Sequence, residues 1–297
     1  MMTVSARRTL KKNAIAYSFI LPNLLGFAIF TLAPMAFAMA LSFMSWDGAN
    51  PITFVGFKNF TRMFGNETFR ISTFNTLYYV AGTVFPTLAF SLLLAVLLNR
   101  GFKGRNVFRA IFFFPYVGSL VAISVVWNMM FHPSMGPVNN ILHALGMQNP
   151  PAWSASTKWA MPTVIAASIW KNAGYYMIIY LAALQDIPRE LYEAAKIDGA
   201  SPWQAFQKIT IPLLTPATFF VTMMLTISGF KVFDLIYVMT GGGPGRATNV
   251  LVFTIYDSAF ISFEYGYSSA IAMVLFVIVL AITLLQFRME KKWVSYL

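Results

Sequence analysis

Long stretches without charge constrain this chain more than any other feature. Residues 13–46, between Lys12 and Asp47, hold no Asp, Glu, Lys or Arg, and neither do 71–99, 209–230 or 265–287. Residues 110–157 carry only two histidines, and 159–184 only Lys171. About 20 apolar residues suffice for a helix to cross a bilayer. Lipid offers no partner to backbone amides, so such segments form helices rather than open sheet. The pattern predicts an all-α, polytopic membrane protein with six helices, at 16–44, 74–98, 108–131, 159–184, 211–239 and 266–287. The organisation expected is one six-helix membrane domain over 16–287, a short segment 1–15 before it and a tail 288–297 after it. No loop is long enough to hold a core of its own.

Composition agrees. Hydrophobic residues make up 58% and charged residues 10%, where a soluble domain carries about 25% charged. The net charge of +11 sits in short runs between apolar stretches, not on one soluble face, which excludes a nucleic-acid partner. Membrane lipid is the partner this composition implies. With no cysteine, disulfides and thiolate metal sites are excluded. His132 and His143 are the only histidines and have no carboxylate cluster nearby, so no metal site, no catalytic residue and no enzyme is expected. The N-terminus looks like a signal peptide, with bases at 7, 8, 11 and 12 and then Ala38-Met39-Ala40. The apolar run, however, far exceeds a signal's 7–15 residues, so a retained helix is expected. With the N-terminus inside, fourteen Lys and Arg fall on the inner side and five (Lys58, Arg62, Arg70, Lys158 and Arg246) on the outer side. This asymmetry places both termini in the cytoplasm.

The segment 185–208, QDIPRELYEAAKIDGASPWQAFQK, differs from the other inner loops in holding four acids beside three bases. Pro188 can open a helix and Arg189 to Ile197 can continue it. Leu191, Ala194 and Ala195 share one face. Asp198-Gly199 signals a stop and turn, and Ser201-Pro202 a second helix with Ser201 as its cap. The prediction is a helix–turn–helix lying on the cytoplasmic face. It would either fit a partner's cleft or rest on lipid headgroups, and the acids disfavour an anionic lipid surface.

Glu193-Ala194-Ala195, Gly199 and then Ile209-Thr210-Ile211-Pro212 resemble the EAA motif of ABC importer permeases, with Ile211 standing where a leucine is usual. Trp170-Lys171, Asp198-Gly199-Ala200, Trp203-Gln204, Phe206 and Pro212-Leu213-Leu214 resemble the carbohydrate branch, of the maltose and glycerol-phosphate type. So do Phe233-Asp234 through Thr240-Gly-Gly-Gly-Pro244, and Arg109 through Phe114-Pro115 to Trp127. The resemblance implies a permease subunit of an ATP-driven importer that forms the pathway for a sugar or sugar-like solute by alternating access. It implies a second permease subunit, expected to be a different chain, two ABC ATPase subunits and an extracytoplasmic solute-binding protein. It also implies a place in a bacterial or archaeal cytoplasmic membrane. No cofactor is expected on this chain, with ATP and Mg on the ATPase subunits. Glu193, Ala194, Ala195, Asp198 and Gly199 would couple to the ATPase.

A charge inside a membrane span invites a functional reading. Lys171 lies mid-span, where facing lipid would cost about 2.5–3.5 kcal/mol. Ser168, Lys171, Gly174 and Tyr175 share a helical face, with Trp170, Asn172, Tyr176 and Tyr180 close by. Trp170, Lys171, Asn172, Tyr175, Tyr176 and Asp234 are the candidate pathway residues. The alternative makes Lys171 part of a structural pair and the tyrosines an interface belt. Lys231 and Asp234, three apart in the fifth span, are positioned to pair on one helix face. The run from Thr240 to Thr248 is glycine-rich but lacks the Gly-Lys-Ser/Thr ending of a phosphate loop. It reads as a flexible outer turn, or as a loop that meets the binding protein. A self-contained secondary carrier using Lys171 and Asp234 is the competing reading, and it leaves the 185–208 loop unexplained.

Overall fold

The computed structural model describes residues 4–294; the outermost three residues of each predicted polar end lie outside the described residues. The chain divides into two compact units. One joins the chain up to Gly65 with Ser258–Met273, and the other joins Asn66–Asp257 with the chain from Val274 onward.

In the first unit, α1 (Val4–Phe27) runs through a π-turn (Ala28–Leu32) into α2 (Ala33–Leu41). Pro22 and Pro34 lie within this path. Helices carrying proline relieve the missing N–H and ring clash by such local adjustments. The helical path begins at Val4, and the apolar span within it, Ala16–Leu41, starts where expected and ends three residues sooner. Two short strands follow, β1 (Met44–Ser45) and β2 (Thr53–Phe54), paired antiparallel, a small departure from the all-helical expectation. The Asp47 carboxylate accepts from the backbone N–H groups of Ala49 and Asn50 at 3.0 and 2.8 Å. Those bonds, led by the Asn50 amide, hold the Asp47 carboxyl below its ordinary pKa. The next helix, α3 (Lys58–Gly65), is held by Asn59, whose side-chain amide donates to the Ser42 and Met44 carbonyls at 3.0 and 2.8 Å.

Arg62 on α3 grips Glu264 with two parallel bonds of 2.9 Å and lies 4.4 Å above the Tyr267 ring. The carboxylate raises the Arg62 pKa above its ordinary value. Both side chains remain partly exposed, so the pair is worth only about 1 kcal/mol or less. Thermal unfolding of Arg62→Ala, Glu264→Ala and the double variant is expected to show a coupling of that size.

The second unit is built on α4 (Glu67–Asn99), a 33-residue helix whose first turn is capped by Asn66 accepting from the Thr68 and Phe69 amides. It packs along α8 (Ala160–Gln185). That contact is close because α8 offers small residues there: Ala167 and Ala173 are buried, and the Ser91 hydroxyl of α4 donates to the Ala173 carbonyl at 3.0 Å. On another side of α8, a Cβ at Gly174 would collide with the backbone carbonyl of Phe112, in the segment that follows α4. In lipid, where apolar side chains gain nothing from leaving the solvent, such close approach drives helix association. One core joins Ala95 and Leu98 of α4 with Met177, Tyr180 and Leu181 of α8 and with Val221 and Leu225. A second joins Tyr79, Val164 and Ala167 with Ile236, Met239 and Val250.

Two predicted spans are broken. The third is α5 (Arg105–Val117) and α6 (Leu120–Met130), bent by 100°. Gly118 and Ser119 adopt extended backbone between them, after Pro115 has already removed one amide from the ladder. The fifth begins with α10 (Pro202–Ala205), a π-turn (Phe206–Thr210) and α11 (Ile211–Leu213), bends by 60°, and continues as α12 (Thr215–Phe230). It stops at Phe230, and a separate short helix covers Asp234–Met239. Further short helices at Pro137–Ala144 and Leu251–Tyr256, the latter running on through a π-turn over Asp257–Ile261, were not expected. The last helix is Tyr265–Trp293. Three described helices are long and apolar enough to cross a membrane, or five if each bent pair is one span. The continuous 26-residue α8, which carries Lys171 and Asn172, lies beside them, for about five to six spans.

Candidate functional site

Two places in the second unit bring polar chemistry together. The first is a pocket of about 190 Å³ where α8 passes the break between α5 and α6 and the C-terminal end of α12. It is lined by Ser168, Lys171 and Asn172 of α8, by Leu120 at the start of α6, and by Ser228 and the stretch Lys231–Leu235. The Tyr79 hydroxyl donates to Ser168 Oγ at 2.7 Å, and the Asn172 amide donates to the Ser168 carbonyl and Oγ at 2.9 and 3.2 Å. Lys171 Nζ lies 5.0 Å from the centre of the Tyr116 ring. That ring stacks on Tyr175 with centroids 4.2 Å apart, so the ammonium rests against a paired aromatic face.

Of the candidate pathway residues, Lys171, Asn172 and Asp234 line this pocket. Tyr175 supports it through Tyr116. Tyr176 is buried against Tyr175, and Trp170 turns outward at 45% exposure beside Trp127. Lys231 and Asp234 do not share a helix face, because α12 ends at Phe230 and the next helix starts only at Asp234. Among the described residues no ion pair joins them. Sequence reasoning missed Tyr79, Tyr116 and Ser228, and named Phe233 only within the stretch that carries the resemblance. Their signal was weak, since isolated hydroxyls and aromatics in apolar runs read as packing.

The second place is the segment 185–210. Arg189–Ile197 forms a helix, α9. Gly199 follows with φ +77°, and the Ala200 N–H returns to the Ala195 carbonyl at 2.9 Å. This closure satisfies the last helical carbonyls and requires a left-handed residue that glycine supplies without strain. Ser201 then caps α10. Its hydroxyl accepts from the Gln204 N–H, and the Gln204 side chain accepts from the Ser201 N–H. The Tyr192 and Thr210 hydroxyls meet at 2.8 Å and fasten α9 to the π-turn. Glu193, Ala194, Asp198 and Gly199 are exposed and Ala195 is half-buried. Beside them Ile197 is 87% exposed.

The glycine-rich run is tied to its surroundings by several hydrogen bonds. The Thr240 and Thr248 hydroxyls meet at 2.7 Å, and Thr248 also donates to the Gly243 carbonyl at 2.8 Å. Asn75 on α4 donates to the Arg246 and Asn249 carbonyls, both at 2.9 Å, and Arg246 reaches Glu67 at 3.1 Å. Among the described residues no three His, Asp or Glu side chains group to hold a metal. His132 Nδ1 instead accepts from the Met135 amide within a turn.

Broken spans beside a small polar pocket, with an exposed helix–turn–helix at another place in the same unit, define a polytopic helical membrane protein. The sequence profile described as binding-protein-dependent transport system inner membrane component matches residues 87–295. The chain is 38% identical to the probable ABC transporter permease protein YesP of Bacillus subtilis over 98% of this chain and 95% of that one. It is 34% identical to the sn-glycerol-3-phosphate transport system permease protein UgpA of Agrobacterium fabrum, over 94% and 96%. Its structure resembles a chain of a bacterial ABC transporter involved in the import of the acidic polysaccharide alginate. The TM-score is 0.86 at 27% identity, covering 97% of this chain and 99% of that one.

The chain belongs to the family of binding-protein-dependent transport system inner membrane components and is an ABC transporter permease, a multi-pass inner membrane protein. ATP hydrolysis in such a complex lies on a separate subunit, and this membership displaces the secondary-carrier reading.

Proposed function

We propose that this chain forms one half of the pathway for a sugar or sugar-like solute, paired with a second permease of different sequence, two ATPase subunits and an extracytoplasmic solute-binding protein. Both termini lie in the cytoplasm, as the distribution of Lys and Arg indicates. Segments 1–15 and 288–297 flank the membrane domain 16–287, and 185–208 is the coupling loop within it. The observation that carries this reading is the pairing, in one compact unit, of the Lys171 pocket with the exposed turn at Gly199. Relatives named for glycerol phosphate and alginate support a polyhydroxylated solute.

In this reading Lys171, Asn172 and Asp234 meet solute hydroxyls as the pathway opens, beside the aromatic face that Tyr116 makes with Tyr175 behind it, while the outward Trp170 and the buried Tyr176 serve packing. Glu193, Ala194, Ala195, Asp198 and Gly199 seat in the ATPase. Closure of the ATPases then moves the loop and rocks the spans between inward-open and outward-open states.

Affinity capture of the chain from native membranes, followed by mass spectrometry and uptake of a labelled sugar panel, tests the reading. An ATPase, a second permease and a binding protein should be recovered. Recovery of the chain alone would overturn it. Lys171→Met is expected to leave this recovery intact and lower uptake about tenfold or more, the effect of one lost charged hydrogen bond. Unchanged uptake would return Lys171 to a structural role.

A further inference from the structure

Away from the pathway pocket, the second unit carries a larger apolar groove of about 760 Å³. One wall is a stripe of α4, Ala89, Leu92, Leu93, Val96 and Leu97, at the i, i+3, i+4, i+7, i+8 spacing of a single helix face. Leu93 is 54% and Leu97 46% exposed, so nothing among the described residues fills the space before them. The opposite wall is the start of the second loop helix and its π-turn, including Trp203 and Phe206, which stack at 5.6 Å. At the mouth stands Arg100, the residue that ends α4.

Arg100 pairs with no acid among the described residues. Lys103 and Arg105 follow it within one short exposed turn, and no Asp or Glu occurs between Glu67 and Asp186. The groove is therefore apolar along its length, cationic at its end, and flanked by an indole of the kind that settles at headgroup depth. The acids that set the 185–208 segment against an anionic surface, Asp186, Glu190, Glu193 and Asp198, do not line it. A protein segment filling it would need an acid placed opposite Arg100. A phospholipid brings acyl chains and a phosphate in one molecule, and a guanidinium binds phosphate oxygens in a two-pronged grip.

We propose that this groove is a binding site for an anionic phospholipid, with its phosphate on Arg100 and its chains between α4 and the Trp203–Phe206 segment. Trp203 lies four residues after Gly199, so the lipid buttresses the loop from the membrane side. The site holds whichever solute is carried. It rests on the chain's spanning a membrane and not on the identity of the cargo.

The test uses the complete complex in membranes containing phosphatidylglycerol and phosphatidylethanolamine. A photo-crosslinking benzoylphenylalanine replaces Leu93, and a control replaces Phe85, which is 70% exposed on the same helix. Adducts are weighed after illumination. A phospholipid adduct enriched in phosphatidylglycerol is expected at position 93 and an unenriched one at position 85. Arg100→Gln should lower the enrichment at 93 about fivefold, the effect of one basic residue beside an anionic headgroup. A protein adduct at 93 would overturn the proposal, as would an enrichment that survives Arg100→Gln. Phosphatidylglycerol retained through detergent washing of the unlabelled complex gives a second measurement free of the crosslinker. Equal retention by the wild type and Arg100→Gln would also overturn the proposal.

Discussion

Glu193→Arg is expected to abolish recovery of the ATPase with this permease and to uncouple solute from ATP hydrolysis, while the permease itself folds normally. Glu193 is exposed on α9 and pairs with no base among the described residues, so its charge is available to a partner. Removing one member of a buried interfacial charge pair costs about 2 kcal/mol or more, close to thirtyfold in affinity. Charge reversal adds repulsion of several kcal/mol. Glu193→Gln should fall between wild type and Glu193→Arg. Co-purification and solute-stimulated ATPase activity read the effect, and thermal unfolding of the permease checks that nothing else has changed. Full capture of the ATPase by Glu193→Arg would sink the assignment of this residue.

Gly174→Val is expected to produce the largest loss of folded protein. A Cβ at position 174 would collide with the Phe112 carbonyl, which is backbone and cannot turn aside. The two helices would have to separate, opening the contact that also positions Tyr116 over Lys171. Overpacking of this kind costs about 1–3 kcal/mol where side chains can shift, and more where only backbone can yield. Gly26, in α1, has open space around it, so Gly26→Val serves as the matched control. Size-exclusion profiles after graded heating in detergent should show the Gly174 variant aggregating many degrees earlier. If both variants behave alike, the close approach of α5 and α8 is not what holds this unit.

The sequence made the 185–208 segment readable in detail because its rules are local. Pro188, Gly199, Ser201 and Gln204 each act on neighbours within five residues, and the structure has a helix, a left-handed turn and a capping box in those places. The spans were readable as apolar stretches but not as straight rods. Gly118 and Ser119 are unremarkable in a hydropathy profile, yet the chain turns by 100° there, with Gly118 in an extended conformation that any residue adopts. The same limit applies at Lys231. Its separation of three from Asp234 implied a shared face only while the helix was assumed to continue. The pocket residues followed suit, for Lys171 and Asp234 stood out by charge, whereas Tyr79 and Ser228 became visible only once distant segments met.

The tethering of the glycine-rich loop has a thermodynamic consequence. A free loop of this length would lose conformational entropy when a partner closed on it. Here the hydroxyls of Thr240 and Thr248, the two bonds from Asn75 and the Arg246–Glu67 pair have already fixed the backbone. A protein docking on this surface meets a prepared shape and bears little ordering penalty. Its association would then be governed by encounter and electrostatic steering rather than by waiting for the loop to fold.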